Sequence, residues 1–545
     1  MKKSFVFFLL FVSFSSTVFS QYVAKDTYWF FFKEKYQNQH SIYNPSSFLS
    51  ERSIERRAWQ GIPVDITDLP VNQAYIDSLK SMGVEIKHTS KWLNGVLIEC
   101  PDSLLLANVK QLSFLDTIPW NPLRDEVYYP VINSIQRFPE PLEIPPDFVY
   151  GYARDQVYQL NLQNLHEKGY TGKGVYICIL DGGFKNLPVL PAFQKPISND
   201  QILAGRNYVH KEIEVYSSIT HGTHVASIIV GDLQDSLIGT APDATIILAL
   251  TENAVSETRI EEYAWIEAVE WADSLGADVL NTSLGYTWFD DPVPDYTYKD
   301  MDGKTAHISA VNGMCASKGM ISVTSAGNSG NDSWYYIGAP ADAIDILSVG
   351  AVDKYGEIAF FSSRGPSYDH RIKPEVSAMG YLTAYQATDS LIKRGNGTSY
   401  SSPVIAGATA VLWQAYPHLS AKELMRYILE SSDRYGVPDN NYGYGIPNFL
   451  KSYYKITSVK TAVEPNMLNI YPNPFTDYIH IESPALHQSE VGLQLYDMSG
   501  RLIHSDRASL PARIQLPVSI QPGIYLVRIV SNNREYISRI VKVND

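Results

Sequence analysis

Three polar residues, each beside glycines, carry the side chains needed to turn a hydroxyl into a nucleophile. Asp181 ends the apolar run Val175–Leu180 and precedes Gly182 and Gly183; His221 opens His221-Gly222-Thr223-His224-Val225-Ala226; Ser399 lies in Gly397-Thr398-Ser399-Tyr400-Ser401-Ser402-Pro403. A serine hydroxyl near neutral pH is a poor nucleophile without a base, and an imidazole base needs an acid to fix its tautomer and stabilise its charged form. The chain order acid, base, nucleophile differs from the two other common serine-hydrolase orders, and no Gly-x-Ser-x-Gly elbow surrounds Ser399. Taken singly, each residue has a plainer reading. Asp181 could be a turn former, His221 with His224 a zinc pair lacking a third ligand, and Ser401 or Ser402 the nucleophile in place of Ser399.

Proline is tolerated in a helix's first turn, where the N–H groups have no intrahelical acceptor. Pro403 therefore predicts a helix starting close to Ser399, whose N–H would face outward at the positive end of the dipole and could hold an oxyanion. Asn328, in Ser325-Ala326-Gly327-Asn328-Ser329-Gly330, follows the apolar run Ile321–Ser325 and sits among small residues that leave its amide free to face a cleft. By itself it reads equally as a turn residue.

These segments lie at strand ends and helix starts, where open α/β sheets gather their functional groups. Short apolar runs at 175–180, 246–250, 279–283, 321–325 and 346–349 predict buried strands, and helical periodicity at 221–230, 258–275 and 305–318 predicts helices between them. Apolar strands separated by helices imply a mostly parallel sheet covered on both faces. Upstream, residues 22–118 mix strands (28–32, 84–89, 95–99, 113–117) with helices (45–60, 71–82, 102–111), as in a small α+β sandwich. Seven prolines between 119 and 150 predict an extended, protease-accessible connector. Beyond 466, seven short strands in about eighty residues predict a β-sandwich.

Length and composition agree with several domains: 545 residues, 45% hydrophobic and 19% charged. The net charge of −14 argues against a general grip on nucleic acid or anionic lipid. Three cysteines, Cys100, Cys178 and Cys315, cannot form a disulfide framework. Residues 1–20 pair Lys2 and Lys3 with an apolar run and a small-residue end, the pattern of a secretory signal, and no later stretch is apolar enough to span a bilayer.

The segments Asp181-Gly182-Gly183, His221–Ala226, Asn281-Thr282-Ser283-Leu284-Gly285, Ser325–Asn328, Phe361-Ser362-Ser363-Arg364-Gly365-Pro366 and Gly397–Pro403, in this order, resemble those of the subtilisin-like (S8) serine peptidases. The resemblance covers roughly residues 156–450. It implies a parallel sheet flanked by helices, a triad of Asp181, His221 and Ser399, Asn328 as oxyanion amide, and a substrate groove flanked by Ser283, Leu284, Gly285, Ala326 and Gly327. Gly182 stands where the family often has Ser or Thr, and Met379 where it usually has Pro; neither change removes a catalytic group. The first block resembles the family's ferredoxin-like inhibitory propeptide in element order. The last block resembles the C-terminal sorting domain of the type IX secretion system through Leu468-Asn469-Ile470-Tyr471-Pro472-Asn473-Pro474-Phe475, Leu495–Leu502 and Pro522–Val527.

The expected organisation is a signal peptide at 1–20, a propeptide-like domain at 21–118, a processing connector at 119–155, a peptidase at 156–454, a linker at 455–465 and a sorting domain at 466–545. The expected function is a serine endopeptidase, secreted or on the outer-membrane surface of a Gram-negative bacterium. It would act on protein or peptide substrates, be handled by the type IX machinery, and carry no transmembrane helix once mature. The rival readings are a catalytically silent adhesion protein on the same fold and a maturation protease of narrow specificity. No cofactor is required and no metal ligand is assigned. Structural calcium stays open at Asp290, Asp291, Asp295, Asp300 and Asp302, which read more simply as a solvated acidic rim.

Overall fold

The computed structural model describes residues 21–36, 38–116, 119, 127–130, 137–211, 214–216, 219–253, 255–290, 294–459, 469–482, 490–497, 501–517, 519–531 and 534–543. The expected signal peptide, most of the first half of the connector, Asp291, Leu468, residues 460–465 of the linker and the turn at 498–500 lie outside these residues, and the linker's start at 455–459 belongs to helix Phe449–Val459. Two compact units are present, 1–452 and 453–545.

The centre of the first unit is a seven-stranded, wholly parallel sheet. Its order is Val376–Met379, Leu347–Val352, Ile321–Ser325, Val279–Thr282, Tyr176–Asp181, Thr245–Leu250 and Ile202–Asn207. The five central strands are the apolar runs read from the sequence, because strands covered on both faces lose the polar alternation of a half-exposed sheet. The two edge strands were not expected. Ile202–Asn207 carries Gly205, Arg206 and exposed positions, and Val376–Met379 is only four residues long. Helices His221–Val230, Ile260–Leu275, His307–Met314 and Thr398–Ala415 cover the sheet.

The amino-terminal block is ferredoxin-like. Strand Thr27–Phe32 lies between Leu115–Asp116 and Gly95–Glu99, with Glu85–Ser90 outermost, all antiparallel. Helices Glu51–Gln60 and Gln73–Ser81 precede the second strand and Ser103–Val109 precedes the last, giving the split β-α-β order. An extra strand, Gln21–Ala24, pairs with Thr27–Phe32. Successive strand residues face opposite ways. Phe30, Phe32, Val96 and Ile98 therefore pack on Ile76, Leu79, Leu106 and Val109, whereas Trp29, Phe31 and Leu97 join the core around helix Ile260–Leu275. Both faces are buried, which accounts for the unbroken aromatic run Tyr28–Phe32.

That docking is also ionic. Asp273, near the end of the long helix, accepts from Arg56 (2.5 Å), Arg57 (3.0 Å) and Lys91 (3.0 Å), all from the amino-terminal block. Glu270 accepts from Ser90 Oγ (2.5 Å), Lys91 N (2.7 Å) and Trp92 N (3.0 Å).

The connector is anchored at a few points and exposed between them, as Ile144 (86% exposed) and Val149 (47%) show. Val127–Tyr128 pairs with Val64–Asp65. From Arg137 onward the chain packs on the catalytic sheet's flank: Phe138 is 3% exposed and Leu142 N donates to Gly169 O at 3.0 Å. Proline blocks the regular ladder here, and Pro139 and Pro145 are themselves exposed.

The second unit packs a four-stranded antiparallel sheet (Leu502–Ser509, Glu490–Asp497, Gly523–Ser531, Arg534–Lys542) against a three-stranded one (Asn469–Tyr471, Tyr478–Glu482, Ala512–Gln515). Inward residues Ile479, Ile481, Leu493, Leu495, Val527 and Ile529 form its core, as in the β-sandwich expected.

Candidate active site

Asp181 is the last residue of the central strand Tyr176–Asp181 and is 2% exposed. Gly182 N donates to its Oδ1 at 2.8 Å. His221 is the first residue of helix His221–Val230, and its Nδ1 lies 2.9 Å and 3.0 Å from the two Asp181 oxygens. A helix start can approach the acid's loop this closely because Gly222 has no side chain: a Cβ there would stand 2.7 Å from Gly183 O and from the Phe184 ring. Burial alone would lower the basicity of the imidazole, but the Asp181 carboxylate and its hydrogen bond outweigh this and hold the His221 pKa above its ordinary value.

Ser399 is the second residue of helix Thr398–Ala415. Pro403 falls in the second turn rather than the first as the sequence suggested. The acceptor left without a partner by its missing N–H is Ser399 O, and Ser283 Oγ donates to it at 3.1 Å. Ser399 Oγ in turn donates to Ser283 O at 3.2 Å, and among the described residues it makes no hydrogen bond to His221. Apo sites often hold such contacts loose until substrate binds. Ser401 Oγ bonds Thr398 O (3.0 Å) and Ser402 Oγ bonds Asn281 Oδ1 (2.9 Å), both fully buried, so neither hydroxyl faces the cleft.

Asn328 is oriented by its own oxygen, which accepts from Thr398 N at 2.9 Å and Thr398 Oγ1 at 3.1 Å. The Asn328 amide and Ser399 N border the same space: a Cβ placed on Gly397 would lie 3.7 Å from Ser399 N and 3.8 Å from both Asn328 Nδ2 and Oδ1. Gly397 has φ +153°, so the backbone favours glycine there. The loop carrying Ala326 and Gly327 is clamped by the segment Phe361–Pro366, with Ser363 Oγ accepting from Ser329 N at 2.9 Å. Ser283, Leu284 and Gly285 follow strand Val279–Thr282, and Ser325 Oγ donates to Leu284 O at 3.5 Å, joining the two expected groove walls.

One neighbour was missed from the sequence. The ring of Tyr400 lies 5.9 Å from that of His221 and stacks on Tyr385 at 5.2 Å. His224 joins this cluster, 4.2 Å from Tyr385, and burial lowers its pKa to about 4.

Asp300 and Asp302 do not form a calcium ladder. Asp300 accepts from Thr297 N (2.7 Å), and Asp302 from Lys304 N (2.8 Å) and Thr305 N (2.7 Å), so their oxygens cap turns. Among the described residues the group spaced to hold a cation is Glu252, Glu257 and Glu261, with ligand oxygens within 4.8 Å of one another. Burial raises Glu257 to about 7 and Glu261 to about 8, and Glu261 already accepts from Asn253 N and Thr258 N. Protons can therefore relieve the cluster without a metal. These three glutamates come together in the fold, and their spacing in the sequence matches no ligand pattern that would have singled them out.

A parallel sheet with an acid, an imidazole and a helix-borne serine at its carboxyl edge defines a serine hydrolase class. A profile described as "Subtilase family" matches residues 172–445, one described as "Peptidase S8 propeptide domain, Bacteroidota" matches 27–129, and one described as "Secretion system C-terminal sorting domain" matches 469–543. Subtilisin E of Bacillus subtilis (strain 168) is 29% identical over 326 residues, covering 58% of this chain and 76% of its own. Subtilisin of Bacillus pumilus is 30% identical over 297 residues, 54% of this chain and 95% of its own. Among solved structures, MycP1 from Mycobacterium smegmatis is similar at a TM-score of 0.44 with 21% identity, over 59% of this chain and 89% of that one. The chain belongs to the subtilase family: it is a subtilisin-like serine endopeptidase preceded by an S8 propeptide domain and followed by a secretion-sorting tail.

Proposed function

We propose that Ser399, His221 and Asp181 form the catalytic triad and that Asn328 Nδ2 and Ser399 N form the oxyanion hole. The observation that carries this reading is the pairing of His221 with the buried Asp181, beside a serine whose N–H borders the same space as the Asn328 amide. His221 Nε2 takes the Ser399 proton as Oγ attacks the scissile carbonyl, and Asp181 stabilises the imidazolium. The oxyanion forms where Asn328 and Ser399 N can both donate. His221 returns the proton to the leaving amine; water then repeats the sequence on the acyl-enzyme and releases the acid.

An extended peptide would pair as an added strand with Ser283–Gly285 on one side and Ala326–Gly327 on the other. Protein or peptide substrates follow from this groove. Residues 21–118 would act as a removable propeptide, 156–454 as the peptidase, and 466–545 as the type IX sorting domain that directs the enzyme outside a Gram-negative cell or onto its surface. No helix among the described residues is long and apolar enough to cross a membrane. The triad is tested by the turnover of Ser399→Ala, His221→Ala and the double variant on a peptide substrate. A working unit predicts that each single variant loses nearly as much as the pair; independent, multiplying losses would refute it.

A further inference from the structure

Asp278 lies between helix Ile260–Leu275 and strand Val279–Thr282, the strand that leads into Ser283–Gly285. Its side chain is 1% exposed and accepts from Tyr176 N at 2.9 Å. Two guanidinium groups neutralise it from opposite directions along the chain. Arg52, on the amino-terminal block's helix Glu51–Gln60, pairs with Oδ2. Arg137, on the connector, pairs with Oδ1 at 2.9 Å. Burial would raise the Asp278 pKa, but the two arginines hold it below the ordinary carboxylate value.

The two cations are seated differently. Arg52 belongs to the block that the propeptide reading removes: its helix packs on Gly276, where φ is +91° and a Cβ would stand 2.7 Å from Arg52 Cγ. Arg137 is built into the catalytic domain. Its side chain is 4% exposed, its Nη1 donates to Pro417 O at 3.3 Å, and its guanidinium lies 4.6 Å from the rings of both Phe138 and Trp413. Gln414 Nε2 donates to Pro139 O at 3.4 Å, continuing the same seat.

We propose that the maturation cut falls on the amino-terminal side of Arg137, so that Arg137 stays in the mature enzyme as the permanent counter-ion of Asp278. The proposal rests on the reading of the amino-terminal block as a removable propeptide. The cut itself is ordinary hydrolysis: water gives its hydroxyl to the carbonyl carbon and a proton to the departing amine. Departure of the block takes Arg52 away. A cut anywhere in 138–155 would take Arg137 as well and leave the Asp278 carboxylate, held by Tyr176 N, with neither of its two paired cations, and removing the partner of a charge pair is the costly way to break it. Asp278 is thus doubly neutralised in the precursor and singly neutralised after processing, and the catalytic domain begins some twenty residues before the 156 read from the sequence.

The test is amino-terminal sequencing and intact mass of the mature enzyme obtained by secreting the full chain. The expected amino terminus lies at or before Arg137. A terminus at 138 or later overturns the proposal, and a chain from which only the signal has been removed overturns the propeptide reading and the proposal together. Thermal midpoints give a second readout. Arg137→Met should lower that of the mature enzyme by roughly 6 °C or more, and that of the uncut Ser399→Ala precursor by less, because Arg52 is still present there. Arg137→Lys should recover much of the loss. Equal shifts in precursor and mature enzyme, or none in the mature enzyme, contradict the retained counter-ion.

Discussion

The seat beneath helix Ile260–Leu275 and the catalytic cleft use the same chemical groups to opposite ends. In the seat, Asp273 faces three cations and Asp278 two, and Glu270 accepts three hydrogen bonds, so loss of any one partner leaves others in place. In the cleft, among the described residues, Asp181 pairs with one imidazole, 34% exposed, and accepts from Gly182 N, and Ser399 Oγ is bonded to one carbonyl. Redundant pairing fixes a docked domain; single pairing leaves groups able to respond when a substrate supplies the missing partner. Changes in the cleft should therefore cost turnover with little stability, and changes in the seat should cost stability first.

The largest expected effect is in the cleft. Ser399→Ala should lower turnover by about 10⁶ while leaving the melting temperature nearly unchanged. In the seat, Asp273→Ala leaves Arg56 and Lys91 without their anion and Arg57 with Asp68 alone, and should destabilise the precursor by about 3–5 kcal/mol in chemical denaturation. A loss below about 1 kcal/mol would mean that the network is not what holds the block. Asn328→Ala should lower kcat by about 10²–10³ with KM little changed; a pure KM effect would remove the amide from the oxyanion hole.

The pH profile sharpens the contrast further. His221 must be neutral to accept the serine proton, and Asp181 holds its pKa above the ordinary 6.5. Activity should be full at alkaline pH and fall about tenfold per pH unit once below that pKa. Asp181→Asn should move the midpoint to lower pH, since it removes the group that favours the imidazolium; an unmoved midpoint would assign the titration to another residue. The smallest effect belongs to neither region. Asp345→Asn breaks an exposed pair with Lys422, 2.5 Å long with side chains 44% and 59% exposed, and should change stability by less than about 1 kcal/mol.

The sequence made the cleft more legible than the seat, for a physical reason. Asp181, His221, Asn328 and Ser399 must each stand at the end of a regular element beside small residues, so local pattern marks them. The central strands were readable because full burial makes them uniformly apolar, and Gly95–Glu99 and His221–Val230 agree with the expected bounds to the residue. The seat is made by residues far apart in the chain: Arg57 meets Asp273 across 216 positions and Arg137 meets Pro417 across 280. Their charges look like any solvated surface until the fold brings them together. In the connector, proline content reports the absence of a ladder but not the few points, Phe138 and Leu142 among them, where the chain is tied down. Tyr400 carries no local mark of its own, because its ring meets His221 across a gap in the chain that nothing in its neighbours reports.

The central claim, that one serine among three near the start of helix Thr398–Ala415 does the chemistry, is tested most directly by mapping a covalent adduct. Mature enzyme treated with a fluorophosphonate should lose activity as it gains one equivalent of label, and peptide sequencing by mass spectrometry should place that label on Ser399. Label on Ser401 or Ser402, or stoichiometric labelling that persists in Ser399→Ala, would contradict the assignment.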